Sequence, residues 1–128
     1  MTAFMTPFKD QVFALLRIAV GFNFLTHGTQ KLFGFPGAAV DAPSFIINIA
    51  GPIELVGGAL IMLGLFTRWT AFLCSGLMFF AYWMGHGLNH PFPAINLGEL
   101  AMTYSLLFLY YAANGPGIWS VDRMRAAG

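Results

Sequence analysis

Charged side chains are scarce in this chain of 128 residues. Charged types make up 9% of the sequence and hydrophobic types 58%, whereas soluble domains carry roughly 25% charged residues. A soluble helical bundle needs a polar stripe on the outer face of every helix, and this composition cannot supply one. Together with the 14 phenylalanines, the shortage of charge predicts a protein whose solvent is lipid.

Cysteine and basic charge are also nearly absent. The single cysteine, Cys74, excludes an internal disulfide and a Cys-x-x-Cys redox pair, so any thiol exchange would involve a second protein. Its apolar neighbours predict a buried, inert thiol. The formal net charge of +1, without a basic patch, argues against nucleic acid as a partner. The lipid bilayer is therefore the first partner to expect.

Four apolar segments have about the length that a bilayer core requires, and Gly/Pro turns separate them. We place the helices at about residues 11–33, 44–66, 69–87 and 95–113. Residues 117–128 would form a short C-terminal surface segment. The sequence therefore predicts an all-α fold, with residues 1–128 forming a single domain that is an integral membrane four-helix bundle.

The basic residues at the two ends of these segments predict the orientation. Four spans put both termini on one side, and most basic residues fall on that side: Lys9, Arg68, Arg123 and Arg125. The other side has only Lys31 and Asp41. The positive-inside rule then makes both termini cytoplasmic, so we expect a multi-pass protein of the cell (inner, cytoplasmic) membrane. No small-x-small cleavage site follows the first segment, which we therefore expect to be retained.

One face of the first helix combines charge with glycine. At helical spacing this stripe consists of Arg17, Gly21, Phe24, Gly28 and Lys31. Glycines allow another backbone to approach closely, so the stripe predicts a contact with other helices that encloses Arg17. A charge near the centre of a membrane helix costs roughly 2.5 to 3.5 kcal/mol on insertion scales and needs a partner. We expect Arg17 to pair with a carboxylate, first Glu54 and otherwise Glu99, while Lys31 extends towards the interface.

Four ionisable residues, each on a different predicted helix, fall at a similar depth: His27, Glu54, His86 and Glu99. With Arg17 and Asn23, they are the candidate ligand-binding or proton-relay residues. They either satisfy one another as polar contacts between helices or line a pocket or proton path open to the outer face. The presence of two carboxylates favours the second interpretation, because Arg17 neutralises only one and the other would tend to hold its proton.

The histidines do not predict a metal or haem site. His86 and His90 are four residues apart, but His90 directly precedes Pro91 and is expected to lie off the helix. His27 and His86 could face each other as axial haem ligands, but no other feature marks a haem site.

Several motifs resemble the DoxX family of small four-helix membrane proteins. The first two are Arg17-x3-Gly21…His27-Gly28-x2-Lys31-Leu32-Phe33-Gly34 and Glu54-Leu55-x-Gly57-Gly58…Gly64-Leu65-x-Thr67-Arg68. The pattern is completed by Asn96-x2-Glu99 and Gly115-Pro116-Gly117-x2-Ser120-x-Asp122. The resemblance covers nearly the whole chain and keeps the order and spacing of the motifs.

The resemblance implies a connection with membrane redox systems. The family is named after subunits of such systems, including thiosulfate:quinone oxidoreductase, and is linked to sulfur and oxidative-stress chemistry. It assigns no catalytic residue, and any enzyme here would be a membrane oxidoreductase subunit rather than a stand-alone one. Three functions stay open: an accessory or quinone-binding subunit, a small-solute or proton carrier, and a structural or assembly subunit. The first would use a quinone as cofactor, with a soluble redox protein or a second copy of the chain as partner.

Overall fold

The computed structural model describes residues 3–128, and this range contains helices and no strand. The helices, after a 3-10 turn at Thr6–Phe8, are α1 (Lys9–Phe33), α2 (Ser44–Leu63), α3 (Thr67–Tyr82), α4 (Pro93–Asn96), α5 (Glu99–Asn114) and α6 (Val121–Ala126). A π-helical turn, Trp83–Gly87, continues α3. The all-α class predicted from the apolar segments is confirmed.

Glycines set the packing of α1 against α2. A methyl group at Gly21 would lie 2.8 Å from the carbonyl oxygen of Gly58, and one at Gly28 would lie 2.8 Å from that of Gly51. Only residues without a side chain allow backbones to come this close. Residues later in α1 thus face residues earlier in α2, so the two helices are antiparallel. The close contact predicted for the glycine stripe of α1 is confirmed.

A second antiparallel pair is formed by α3 and α5. Ser75 and Ser105 exchange hydrogen bonds, each hydroxyl donating to the other residue's carbonyl oxygen at 2.7 and 3.1 Å. Nearer the start of α3, Arg68 donates to the carbonyl oxygens of Ala112 and Ala113 at the end of α5. Aromatic contacts such as Phe24 with Phe108, 4.7 Å between ring centroids, join α5 to α1.

Many large apolar side chains point away from this core. Trp69, Phe80 and Leu106 are 76%, 62% and 63% exposed, and clusters of exposed apolar surface mark contact with a protein or a membrane. The segment Thr6–Phe33 and α2 are each long and apolar enough to cross a membrane. Both observations agree with lipid as the solvent of this chain.

The last predicted helix is interrupted near its start. We expected one helix over residues 95–113, but α4 ends at Asn96 and α5 begins at Glu99. Leu97 lies between them with φ of 62°, a left-handed conformation that no helix interior contains. The amide of Gly98 donates to Asn96 Oδ1 at 2.8 Å, so an asparagine turn replaces a turn of helix.

The C-terminal segment is fastened to the connection between α2 and α3. The carboxylate of Asp122 accepts hydrogen bonds from the backbone amides of Phe66 and Thr67 at 2.9 and 2.8 Å, and from the Thr67 hydroxyl at 2.9 Å. These amides belong to the first turn of α3, where helical partners are missing. Asp122 therefore caps α3 from a distant part of the chain.

Candidate functional site

A cavity of about 240 Å³ lies where α1, α2 and α5 meet the end of α3. Its polar lining consists of His27, Lys31, Glu54, His86 and Tyr104. Its apolar lining consists of Phe24, Ala50, Met78, Ala81, Leu97, Leu100 and Ala101. A mainly apolar cavity with a few convergent polar groups is the usual form of a small-molecule site. Three of the predicted layer residues, His27, Glu54 and His86, thus come together.

The charges in this cavity form an ion pair between α1 and α2. Lys31 Nζ lies 2.7 Å from Glu54 Oε2, and the two side chains are 16% and 4% exposed. Attraction between opposite charges is strong where water is largely excluded. An ammonium and a carboxylate in contact balance each other, so the pair adds no net charge to the cavity.

Our expectation that Arg17 pairs with Glu54 is wrong. The cation at Glu54 is Lys31, two helical residues from the end of α1, and not Arg17. The related expectation of a second, uncompensated buried carboxylate also fails, because Glu99 is exposed at the first residue of α5.

Arg17 instead binds backbone carbonyls. Its guanidinium is fully buried and donates to the carbonyl oxygens of Ile61 and Met62, both at 2.8 Å. It also donates to those of Ile118 and Trp119, at 3.2 and 2.7 Å. The last carbonyls of a helix have no helical partner, and a planar guanidinium with five N–H groups can satisfy several at once. These contacts join α1 to the end of α2 and to the C-terminal segment, and Arg17 does not line the cavity.

Hydrogen bonds determine the tautomer of His86. Its Nδ1 lies 2.9 Å from the carbonyl oxygen of Asn96. A carbonyl only accepts, so a neutral His86 ring carries its proton on Nδ1 and leaves Nε2 as an acceptor. The Asn96 amide nitrogen donates to the hydroxyl of Tyr82 at 3.3 Å and to the carbonyl oxygen of His90 at 2.9 Å. The chain around Asn96 thus fixes the imidazole in the cavity wall.

His27 and Tyr104 supply the remaining polar groups of the cavity. Their rings meet edge to face with centroids 6.2 Å apart. The ring of Tyr104 meets that of Phe24 edge to face and is stacked on that of Phe108, with both pairs of centroids 5.6 Å apart. Imidazole and phenol can each donate a hydrogen bond to a carbonyl oxygen.

Three of the six candidate residues do not line the cavity. They are Arg17, Asn23 and Glu99. Asn23 is exposed on the outer side of α1 and Glu99 is exposed at the start of α5. Within residues 3–128, no group of three His, Cys, Asp or Glu side chains is arranged to hold a metal ion.

Sequence reasoning missed three residues of this site, namely Lys31 as the partner of Glu54, Tyr104 as part of the wall, and Asn96 as the support of His86. A signal existed for Asn96, because Asn-Leu-Gly is a turn-forming sequence within an otherwise apolar segment. Tyr104 carries no such signal, since aromatic residues in membrane helices are mostly packing residues.

Comparisons with known proteins agree with the resemblance noted from the motifs. A family model described as DoxX matches residues 12–87. A Haemophilus influenzae protein, "Uncharacterized protein", is 43% identical over 127 residues, covering 92% of this chain and 93% of its own. "Inner membrane protein YqjF" of Escherichia coli is 30% identical over 130 residues, covering 94% of this chain and 96% of its own. "Putative oxidoreductase CatD" of Bacillus subtilis is 30% identical over 115 residues, covering 84% of this chain and 82% of its own. No solved structure matches the chain.

Proposed function

Because this chain belongs to the DoxX family of membrane proteins, we propose that its cavity binds the headgroup of a quinone and that the protein is an accessory subunit of a membrane redox system. The observation that carries the proposal is the meeting of His27, Glu54, His86 and Tyr104 around one cavity. The name of the Bacillus subtilis relative, which includes the word oxidoreductase, supports the redox part.

The size of the cavity suits a single ring. Its volume of about 240 Å³ lies just below the range of about 300–1,000 Å³ in which drug-sized ligands bind. The wall is mainly apolar and the Lys31–Glu54 pair is neutral overall. A flat, uncharged ring with polar atoms at its edge fits this description better than an ion does.

The polar groups match both redox forms of a quinone. A quinone carbonyl accepts hydrogen bonds, and His27, Tyr104 and the remaining N–H groups of Lys31 can donate them. A quinol hydroxyl donates, and Nε2 of His86 can accept because Nδ1–H is bound to Asn96. In this proposal Glu54 is a positioning residue that fixes the ammonium group of Lys31 at the cavity wall.

The proposal includes the topology. We propose a multi-pass protein with four spans, which are α1, α2, α3 with its π-helical turn, and α4 with α5. Both termini lie in the cytoplasm, on the side that receives the most basic residues. The cavity then lies nearer the outer face, because it surrounds the C-terminal part of α1.

Binding of a tailless quinone tests the function. We expect 2,3-dimethoxy-5-methyl-benzoquinone to quench the tryptophan fluorescence of the purified protein in a saturable manner. The double variant Lys31→Met with Glu54→Gln removes both charges together and avoids leaving one of them unpaired. It should bind at least about tenfold more weakly, since a lost charged hydrogen bond is worth roughly 1.5–3 kcal/mol.

Glu99→Gln is the matched control, because Glu99 is an exposed carboxylate outside the cavity. It should bind the quinone as the parent does. If the double variant retains the parent's affinity, or if the parent shows no saturable binding, the cavity is not a quinone site. The Lys31–Glu54 pair would then act only as a contact between helices, and a structural or assembly subunit becomes the better description.

A further inference from the structure

An apolar groove lies beside the cavity, between α2 and α3. It encloses about 400 Å³, and its walls are formed mainly by Phe45, Ile46, Ile49, Leu77, Phe80 and Met84. Most of these side chains are exposed at the surface of the chain. In a membrane, the groove therefore opens sideways to the lipid.

The groove and the cavity share part of their walls. Ala50, Ala81 and His86 line both. The two alanines are the smallest possible side chains at these positions apart from glycine, so the partition between the two spaces is thin. A cavity with a few polar groups that adjoins an apolar groove open to lipid fits a molecule with a compact polar head and an apolar chain.

We propose that the groove between α2 and α3 holds the apolar chain of the quinone whose headgroup lies in the cavity, and that the quinone enters from the membrane along this path. This inference rests on the proposed function. The shared wall at Ala50 and Ala81 points to the occupant, because a chain attached to a ring in the cavity has an apolar groove directly beside it. A lipid chain without such a head would leave the polar groups of the cavity unused.

In a membrane, the groove would bind an apolar chain through the fit of its shape. Lipid chains are as apolar as the groove, so moving a tail from lipid into it gains little from the hydrophobic effect. The gain comes from close contacts with the walls and from holding the head in place. Filling the groove should therefore exclude a tailed quinone by steric overlap.

Gly85 provides a way to fill the groove without disturbing the fold. It lines the groove, and a Cβ built at this position meets no atom within 4 Å. Gly85 also belongs to the π-helical turn Trp83–Gly87, and such turns occur frequently at functional sites. A leucine at this position therefore has open space for its side chain at the edge of the groove.

Gly76 is the matched control. It lies on α3, a Cβ there also meets no atom within 4 Å, and it lines neither the groove nor the cavity. The experiment compares the parent, Gly85→Leu and Gly76→Leu in one detergent. Each is titrated with the tailless benzoquinone used above and with its 6-decyl derivative. Because the micelles are identical, partitioning of the decyl chain cancels between variants.

We expect Gly85→Leu to weaken binding of the decyl quinone at least about tenfold and to leave binding of the tailless quinone unchanged. Gly76→Leu should alter neither. Normal binding of the decyl quinone to Gly85→Leu overturns the inference while the headgroup site stands. Equal weakening of both quinones also overturns it, because the substitution then acts on the cavity. If neither quinone binds the parent, the proposed function fails and the inference fails with it.

Discussion

Arg17 joins two chain segments that are more than fifty residues apart. Its guanidinium binds the end of α2 through Ile61 and Met62 and the C-terminal segment through Ile118 and Trp119. The planar fork of the guanidinium makes this double contact possible, and the compact ammonium of lysine cannot reproduce it. At the scale of single residues, this fully buried charge links the end of α2 to the C-terminal segment.

Replacing Arg17 by lysine should lower the free energy of unfolding by about 1–3 kcal/mol, the usual cost of leaving a buried polar group unpaired. Arg123→Lys, at an exposed position, is the control and should have little effect. Denaturant unfolding in detergent, followed by circular dichroism, measures the difference. Adding Glu54→Gln to the Arg17 variant should restore no stability, and a recovery would show that the two residues interact after all.

The sequence shows that Arg17 must have a buried partner, but it cannot show which one. Carbonyl oxygens occur at every residue and leave no mark in a sequence, whereas carboxylates are visible. The sequence therefore favoured Glu54 as the partner of Arg17. The same limitation hid the tautomer of His86, which depends on the backbone carbonyl of Asn96.

At the scale of elements, the starting level of each helix decides which residues meet. The prediction assumes that neighbouring helices begin at a common plane. In the structure Gly28 lies against Gly51, so α2 begins about two residues, roughly half a turn, beyond the level at which α1 ends. The long side chains of Lys31 and Glu54 span the remaining distance between them. The glycine faces were predictable from spacing, but the offset between them depends on the course of residues 34–43, for which the sequence contains no periodic pattern.

The cap of α3 by Asp122 makes part of the stability dependent on pH. Partial burial acts to raise the pKa of Asp122, but the hydrogen bonds from Thr67 and Phe66, together with Arg125, outweigh it and lower the pKa below its ordinary value. Because the folded pKa lies below the unfolded one, the contribution is present above the unfolded pKa of about 3.9. It is lost as the pH falls through the folded pKa.

We therefore expect Asp122→Asn to be less stable than the parent at neutral pH, since an amide oxygen replaces a charged acceptor of three hydrogen bonds. The difference in unfolding free energy should shrink as the pH is lowered from about 7 to below about 3. Denaturant unfolding of both proteins across this range gives the difference directly. Asp10→Asn serves as control at an exposed position in the first turn of α1. A difference between parent and Asp122→Asn that does not change with pH would contradict the cap.

At the scale of the whole molecule, composition and motifs predicted more than individual contacts did. The apolar segments and the shortage of charge predicted an all-helical membrane protein, and the motifs around Gly21, Gly28 and Glu54 resembled the family to which the chain belongs. Each of these two predictions rests on many residues at once, so an error about one position hardly changes it. The set of residues that line the cavity depends on a few side chains and on the level of α2 relative to α1. A shift of one helical turn changes which of these side chains meet.

The orientation in the membrane can be tested by labelling. In a Cys74→Ala background, single cysteines at Ala38 and Ala94 should react with a membrane-impermeant thiol reagent added outside cells, and one at Ala127 should not. All three positions are exposed, so access depends on the side of the membrane. The reverse pattern would place the termini outside and would invalidate the argument from basic residues.

The central claim is that the cavity donates hydrogen bonds to a quinone carbonyl, and infrared difference spectroscopy of the bound, tailless quinone tests it most directly. With the carbonyl carbons isotope-labelled, hydrogen bonding lowers the stretching frequency of the bound carbonyl relative to that of the same quinone in empty micelles. We predict this lowering in the parent and in Tyr110→Phe, an exposed tyrosine outside the cavity, and its reduction in His27→Phe or Tyr104→Phe. A carbonyl band identical to that in empty micelles, or one that neither cavity substitution changes, would contradict the account.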